Sequence, residues 1–187
     1  MHTIEKFLEN LKRKDPCKGS VDFKLYPWQR DFLRKTDQDE IIIKKDRQIG
    51  ASTILMGYAM YRAHIVWDSL YPNVLCVSHS YEGAKGLKEI ERYFSSQRGT
   101  VGNDNITYLS CKSFPDSVKV KGPYSLIICD EMDFWKTPID IEALRKQLEP
   151  TGQLIIASSV REDGQESIFD ILKPDLYATL KGEQNGY

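Results

Sequence analysis

Residues 41–53 read Ile-Ile-Ile-Lys-Lys-Asp-Arg-Gln-Ile-Gly-Ala-Ser-Thr, an apolar strand-like run that breaks into a polar loop and ends on two hydroxyls. In the phosphate-binding pattern G-x-x-x-x-G-K-[ST], backbone N–H groups and the following helix N-terminus hold phosphate oxygens, while Ser or Thr binds magnesium. Here Gly50 and Ser52 keep the second glycine and the hydroxyl, Ala51 replaces the usual lysine, and Lys45 takes the first glycine's place. The stretch Lys45, Asp46, Arg47, Gln48, Ile49, Gly50, Ala51, Ser52, Thr53 therefore predicts a phosphate cradle whose ammonium comes from the front of the loop. Lys44 is the second candidate. Strand side chains alternate between faces, so one of the two lysines points into the cradle and the other away. Lys45 is favoured because it is nearer the turn. Arg47 adds a guanidinium able to bridge phosphate oxygens bidentately.

A second group lies downstream. Leu126-Ile127-Ile128-Cys129-Asp130-Glu131 is a short apolar run ending in two carboxylates, the pattern of a central parallel strand that delivers acids to its C-terminal edge. Asp130 is expected to orient Mg2+, directly or through water, and Glu131 to polarise the attacking water. With the loop upstream, this predicts an enzyme that hydrolyses ATP with Mg2+.

These motifs, in this order, resemble the ATPase domain of phage-type large terminase subunits, motors that package DNA into viral capsids. Asp46-Arg47-Gln48-Ile49-Gly50-Ala51-Ser52 looks like that family's deviant loop, in which an Arg-Gln-hydrophobic-Gly core is frequent. Many members have Lys where this chain has Ala51, and others carry the lysine at the front, as Lys45 does here. Tyr26-Pro27-Trp28-Gln29 resembles the family's adenine-recognition motif, which implies Gln29 as the base-reading amide with Trp28 beside it. Lys121-Gly122 resembles the basic-Gly element before the acidic strand. Leu154-Ile155-Ile156-Ala157-Ser158-Ser159 is similar to the coupling motif, which implies that Ser158 and Ser159 sense the γ-phosphate.

The resemblance covers residues 24 to about 172. It implies a RecA-like (ASCE) P-loop NTPase fold, double-stranded DNA as the translocated substrate, and a portal protein and small terminase subunit as partners. It also implies a homo-oligomeric ring in the assembled motor, a monomer in dilute solution, and a neighbour's arginine inserted into each site. Arg92, Arg98 and Arg161 are the candidates for that arginine. The expected ATPase domain is 1–172, with 1–23 as an N-terminal helix and loop and 173–187 as a lid, linker or truncated end. Large terminases usually add a nuclease domain, for which residues after 172 leave no room. A helicase-like remodelling ATPase and a non-catalytic nucleotide-binding module are the competing classes. The first should carry a second motor domain, and the second has little reason to keep Glu131.

Composition sets the frame. At 187 residues, 41% hydrophobic and 28% charged, the chain can bury a substantial core without cross-links. Cys17, Cys76, Cys111 and Cys129 are widely spaced and form no C-x-x-C pattern, so Cys76 and Cys129 read as reduced core residues. No segment is long and apolar enough to cross a membrane and no signal-peptide core is present, which places the expected protein in a host cytoplasm. A net charge of −1 excludes a wholly basic DNA-coating protein. Any DNA contact must be local, with Lys112, Lys119 and Lys121, or Lys85, Lys88 and Arg92, as candidate clusters.

Around these motifs, strands and helices alternate, which predicts an α/β sandwich with a mostly parallel central sheet covered on both faces. Helices are expected over 4–11, 28–33, 52–67, 81–95 and 139–148, and strands over 41–44, 74–77, 126–131 and 154–157. Residues 106–109 and 118–120 suggest a flanking hairpin, Pro150-Thr151-Gly152 a helix stop, and 168–172 the start of a lid. His79, after a strand but without a nucleophile partner, reads as a loop or DNA-proximal residue.

Overall fold

The computed structural model describes residues 4–15, 17–64, 73–99, 104–113, 123–135, 141–160 and 167–178. Its centre is a six-stranded sheet of β3 (Glu40–Lys45), β4 (Val74–Ser78), β5 (Ile106–Ser110), β6 (Tyr124–Asp130), β7 (Leu148–Ser158) and β8 (Leu176–Ala178). The spatial order is β5-β4-β6-β7-β3-β8, with every neighbouring pair parallel. Both β4 and β6 are buried along their whole length. That is why their sequences are continuous apolar runs without polar alternation.

Alternate residues of these strands feed two separate cores. One face turns Cys76, Ile128 and Ile155 toward α2 (Pro27–Arg34), α3 (Ala51–His64) and α4 (Tyr81–Gln97), together with Leu8 of α1 (Ile4–Glu9). The other turns Leu75, Ile127, Cys129 and Ile156 toward Met132, Trp135 and Leu144 of α5 (Ile141–Arg145). This is the expected three-layer P-loop α/β sandwich. The buried cysteines Cys76, Cys111 and Cys129 are free, and Cys17 is free and exposed. Among the described residues, no helix is long and apolar enough to cross a membrane.

Several local expectations are corrected. Residues 106–109 belong to the main sheet: β5 pairs in parallel with β4, Val74 opposite Ile106 through Ser78 opposite Ser110. Residues 118–120 lie outside those described. Pro150-Thr151-Gly152 does not stop a helix; it lies inside β7, and the helix before it, Ile141–Arg145 among the described residues, ends at Arg145. Pairing with β6 overrides the turn chemistry there, since Leu148 lies opposite Tyr124 and a register shift follows between Tyr124 and Leu126.

The stretch after α1 is not a plain loop. Lys12–Asp15 (β1) and Gly19–Asp22 (β2) form an antiparallel hairpin. Leu176–Ala178, in the segment expected to be a lid or linker, pairs with β3 at the sheet edge. Residues 168–171 form a short helix, α6 (Ile168–Ile171).

Two glycines test this packing in opposite directions. A Cβ on Gly152 would lie 2.8 Å from the Tyr124 carbonyl oxygen, whereas one on Gly86, inside α4, would meet nothing within 4 Å. Gly152→Ala should lower unfolding free energy by about 1–3 kcal/mol through overpacking against backbone. Gly86→Ala should raise it by roughly 0.5–1 kcal/mol by restricting the unfolded chain and favouring helix. Urea denaturation of both variants reads the two signs, and a neutral Gly152→Ala would show that the β6–β7 contact yields.

Candidate functional site

The C-terminal edge of the sheet gathers the chemistry-bearing residues because β3, β6 and β7 all end there in register. Lys44 lies opposite Ser158, and Asp130 lies opposite Ala157. Beyond β3 the chain turns through Asp46, Arg47 and Gln48, all exposed, and enters α3 at Ala51. Gln48 (φ 60) and Gly50 (φ 78) both take left-handed backbone conformations. Such reversals build the N–H concavities that receive anions, and at the second of them the chain carries the residue without a Cβ. Ile49 and Ala51 are buried in the apolar core, which anchors the loop from beneath, and Thr53 is half-buried on the first turn of α3.

Lys45 is buried and its Nζ donates to Glu131 Oε1. Lys44 turns the other way and lies 5.6 Å from the Phe169 ring centroid. Strand alternation thus separates the two lysines, and it is Lys45 that meets the acid pair. Glu131 sits in a left-handed conformation (φ 54, ψ 44), which costs of order 1–3 kcal/mol for a residue with a side chain. Its N–H donates to Ala157 O at 2.8 Å, and Oε2 accepts from Ser159 N at 3.2 Å and Ser159 Oγ at 3.0 Å. Burial pushes the Glu131 carboxyl up, but the Lys45 ammonium and the Ser159 donors outweigh it and hold it below its ordinary value. The carboxylate is therefore ionised at neutral pH.

Asp130 is buried, and burial raises its pKa despite the nearby Lys45 charge. Its Oδ2 accepts from Ser52 Oγ at 3.0 Å, while Oδ1 is buried without a partner. A carboxylate oxygen left unmatched beside a hydroxyl suits a hard cation that takes oxygen ligands, and Ser52 with Asp130 fits Mg2+ in that respect.

Ser158 and Ser159 have distinct places. Ser158 Oγ accepts from Asp133 N at 3.0 Å and donates to Ser159 O at 3.1 Å, joining the end of β7 to the turn after β6. Ser159 is the one that touches Glu131. Arg47 is exposed at the loop, its guanidinium 5.3 Å from the Phe134 ring centroid.

On the other side of the loop is a pocket whose walls include Tyr26, Gln29, Gly50 and Thr53, with Arg13 from β1. Gln29 is only 2% exposed; its Oε1 accepts from Tyr26 N at 3.0 Å and its Nε2 approaches Gly50 O at 3.5 Å. Trp28 is 5% exposed and belongs to the core, and the aromatics presented to the pocket are Phe23 and Tyr26. Sequence reasoning also passed over Arg13, which only a hairpin folded back from the N-terminus brings here, and Trp135, whose Nε1 donates to Asp130 O at 3.2 Å.

Lys85, Lys88 and Arg92 are exposed along α4, Lys112 is exposed, and Lys119, Lys121, Gly122 and Arg161 lie outside the described residues. Arg98 stacks over Phe7 at 5.0 Å. His79 is exposed at the end of β4, 6.4 Å from Phe134 between ring centroids.

No family model matches the chain, and no curated protein matches it in sequence. Solved structures do. It is similar to the HK97 bacteriophage large terminase, at TM-score 0.62 and 16% identity over 83% of this chain and 37% of that one. It is also similar to a mutant ATPase domain of the Thermus phage P74-26 large terminase, at TM-score 0.56 and 16% identity over 74% of this chain and 66% of that one. The chain thus spans little more than a third of the first and about two thirds of the second. At this identity the likeness is one of architecture: the chain has the α/β P-loop fold of phage large terminase ATPase domains.

Proposed function

We propose that this chain is the Mg2+-dependent ATPase domain of a large terminase, coupling ATP hydrolysis to movement of double-stranded DNA into a viral capsid. The observation that carries the reading is the meeting of Lys45, Ser52, Asp130, Glu131 and Ser159 at one sheet edge beside a glycine-bearing loop. The terminase-like fold supports the motor class. The ATPase body is read as residues 1–172.

In this reading the triphosphate lies along the loop, with phosphate oxygens drawing the Lys45 ammonium that otherwise pairs with Glu131. Ser52 and Asp130 hold Mg2+, which supplies charge neutralisation on the phosphates. Glu131, ionised and held by Ser159, accepts a hydrogen bond from the water that attacks the γ-phosphorus. Ser159 bonds the carboxylate and belongs to the strand end that carries Ser158, so a change at the phosphate is passed to β7. Arg47, exposed above the loop, adds a second cation to the phosphates. Gln29 and Tyr26 border the base, with Trp28 supporting them from the core. Double-stranded DNA, a portal protein, a small terminase subunit and further copies in a ring are the proposed partners, with a monomer in dilute solution and action in a host cytoplasm.

The test is ATP turnover with and without double-stranded DNA. DNA should raise the rate, and a rate indifferent to DNA would remove the motor assignment. Lys45→Ala should cut turnover about 100-fold or more, in the range for losing one preorganised charge donor, while Lys44→Ala stays within about threefold. Equal, small losses would place the phosphate cation elsewhere. For Glu131→Gln, nucleotide binding should stay within about threefold of the parent while hydrolysis falls roughly 10²–10⁴-fold. Substantial residual turnover in that variant would move the water-activating role to another group.

A further inference from the structure

The two halves of the loop wall two different pockets. Residues 48–50 border the one beside Tyr26 and Gln29, and residues 44–47 border a second, of about 240 Å³, with Ser159 and Tyr177 among its other walls. The two share no wall residue among those described. Two walls of the second, Lys45 and Ser159, are the residues that hold the Glu131 carboxylate. In the hydrolase reading it therefore adjoins the place where the γ-phosphorus is attacked, away from the base.

Its lining selects an anion. Lys44 and Arg47 carry positive charge there against Asp46, the one carboxylate among the described walls, while Lys45 is balanced by Glu131. Neither Lys44 nor Arg47 is in an ion pair with a described residue; they rest on Phe169 and Phe134, at 5.6 and 5.3 Å from the ring centroids. A ring face holds a cation in place without neutralising it, and a phosphate oxygen is the stronger partner. The Tyr177 hydroxyl adds a donor on the solvent side, the residue being 63% exposed. Glu131 supplies the push. It is ionised, and hydrolysis leaves a second anion against it when the water oxygen joins phosphorus and the bond to the β–γ bridging oxygen breaks. Like charges repel, and the cations on the pocket side are Lys44 and Arg47. We propose that this pocket receives the inorganic phosphate set free by hydrolysis, as a product site separate from those of the γ-phosphate and the base. ADP then stays on the loop while phosphate leaves past Lys44 and Tyr177. The inference rests on the hydrolase reading for the origin of the phosphate.

Inorganic phosphate, titrated calorimetrically at constant ionic strength into the unaltered chain saturated with Mg2+ and ADP, should bind at a single site. It should still bind, within about tenfold, when the non-hydrolysable β,γ-imido analogue of ATP replaces ADP. Lys44→Gln should weaken phosphate about tenfold or more, the scale of one charge-assisted contact, with ADP affinity held within about threefold. Tyr177→Glu, at an exposed position of the edge strand, should abolish phosphate binding by setting a carboxylate in its path. Loss of phosphate binding with the analogue but not with ADP would make the pocket the γ-phosphate's own place and overturn a separate product site. Phosphate binding that ignores both substitutions would overturn the inference by placing the anion elsewhere. No phosphate binding beside ADP, in a chain that hydrolyses ATP, would overturn it while leaving the hydrolase reading intact. A chain that binds phosphate but neither binds nor hydrolyses ATP would overturn that reading and the product role with it.

Discussion

A buried ammonium has to meet a carboxylate, and in this fold Lys45 can meet Glu131 only if three strands end at the same level. Removing Glu131 would leave the buried Lys45 ammonium uncompensated, at a cost of about 3–5 kcal/mol, whereas Glu131 keeps some contact with solvent. Glu131 reaches the pair by adopting a left-handed backbone, and its neighbours hold it there. Ala157 O takes its N–H, Ser159 takes its second carboxylate oxygen, and Phe134 N donates to its carbonyl at 3.0 Å. The parallel register of β3, β7 and β6 is thus tied to the geometry of a single acid.

The same constraint sorts the cations around the loop. Lys45 is neutralised in the interior, while Lys44 and Arg47 rest on the faces of Phe169 and Phe134. Those two rings sit on α6 and on the turn after β6. They are linked through Asp133, whose N–H donates to Ser158 Oγ and whose carboxylate accepts from Ile168 N at 2.7 Å. Any movement of Arg47 away from Phe134 therefore leaves that ring uncovered, and the turn bearing Phe134 also holds β7 and α6. A route from the loop to β7 exists in contiguous contacts, without a long-range argument.

Much of this was legible in the sequence where burial alone dictates residue type. Strands buried on both faces must be continuously apolar, so β3, β4 and β6 are plain in the chain, as are the acids that end β6. Legibility failed where tertiary pairing decides. The β1–β2 hairpin is polar and largely exposed and so shows no pattern, the first half of β7 carries turn residues that pairing with Tyr124 overrides, and β8 is three residues long. In the site, motif spacing brought Lys45, Ser52, Asp130 and Glu131 into view. It could not tell which aromatic of Tyr26 and Trp28 faces the pocket, since that depends on α2 turning Trp28 and Phe32 inward together.

The displaced lysine follows from packing at the start of α3. Ala51 is 5% exposed and lies in the core cluster, so the position that usually carries the phosphate lysine is here filled by a small apolar contact. A long cation there would have to leave the core or break it. Lys45 arrives by another route, along β3, and its placement depends on what fixes the end of that strand. Lys45 pairs with Ala178, and the Ala178 carbonyl accepts from Asp46 N at 2.9 Å just where the loop begins. Asp175 adds two contacts on the same strand, its carboxylate accepting from Ile42 N and its N–H donating to Ile42 O, each at 2.8 Å. In the proposed reading, a cation at the front of the loop thus makes the edge strand β8 part of the phosphate site, which a lysine on α3 would not require.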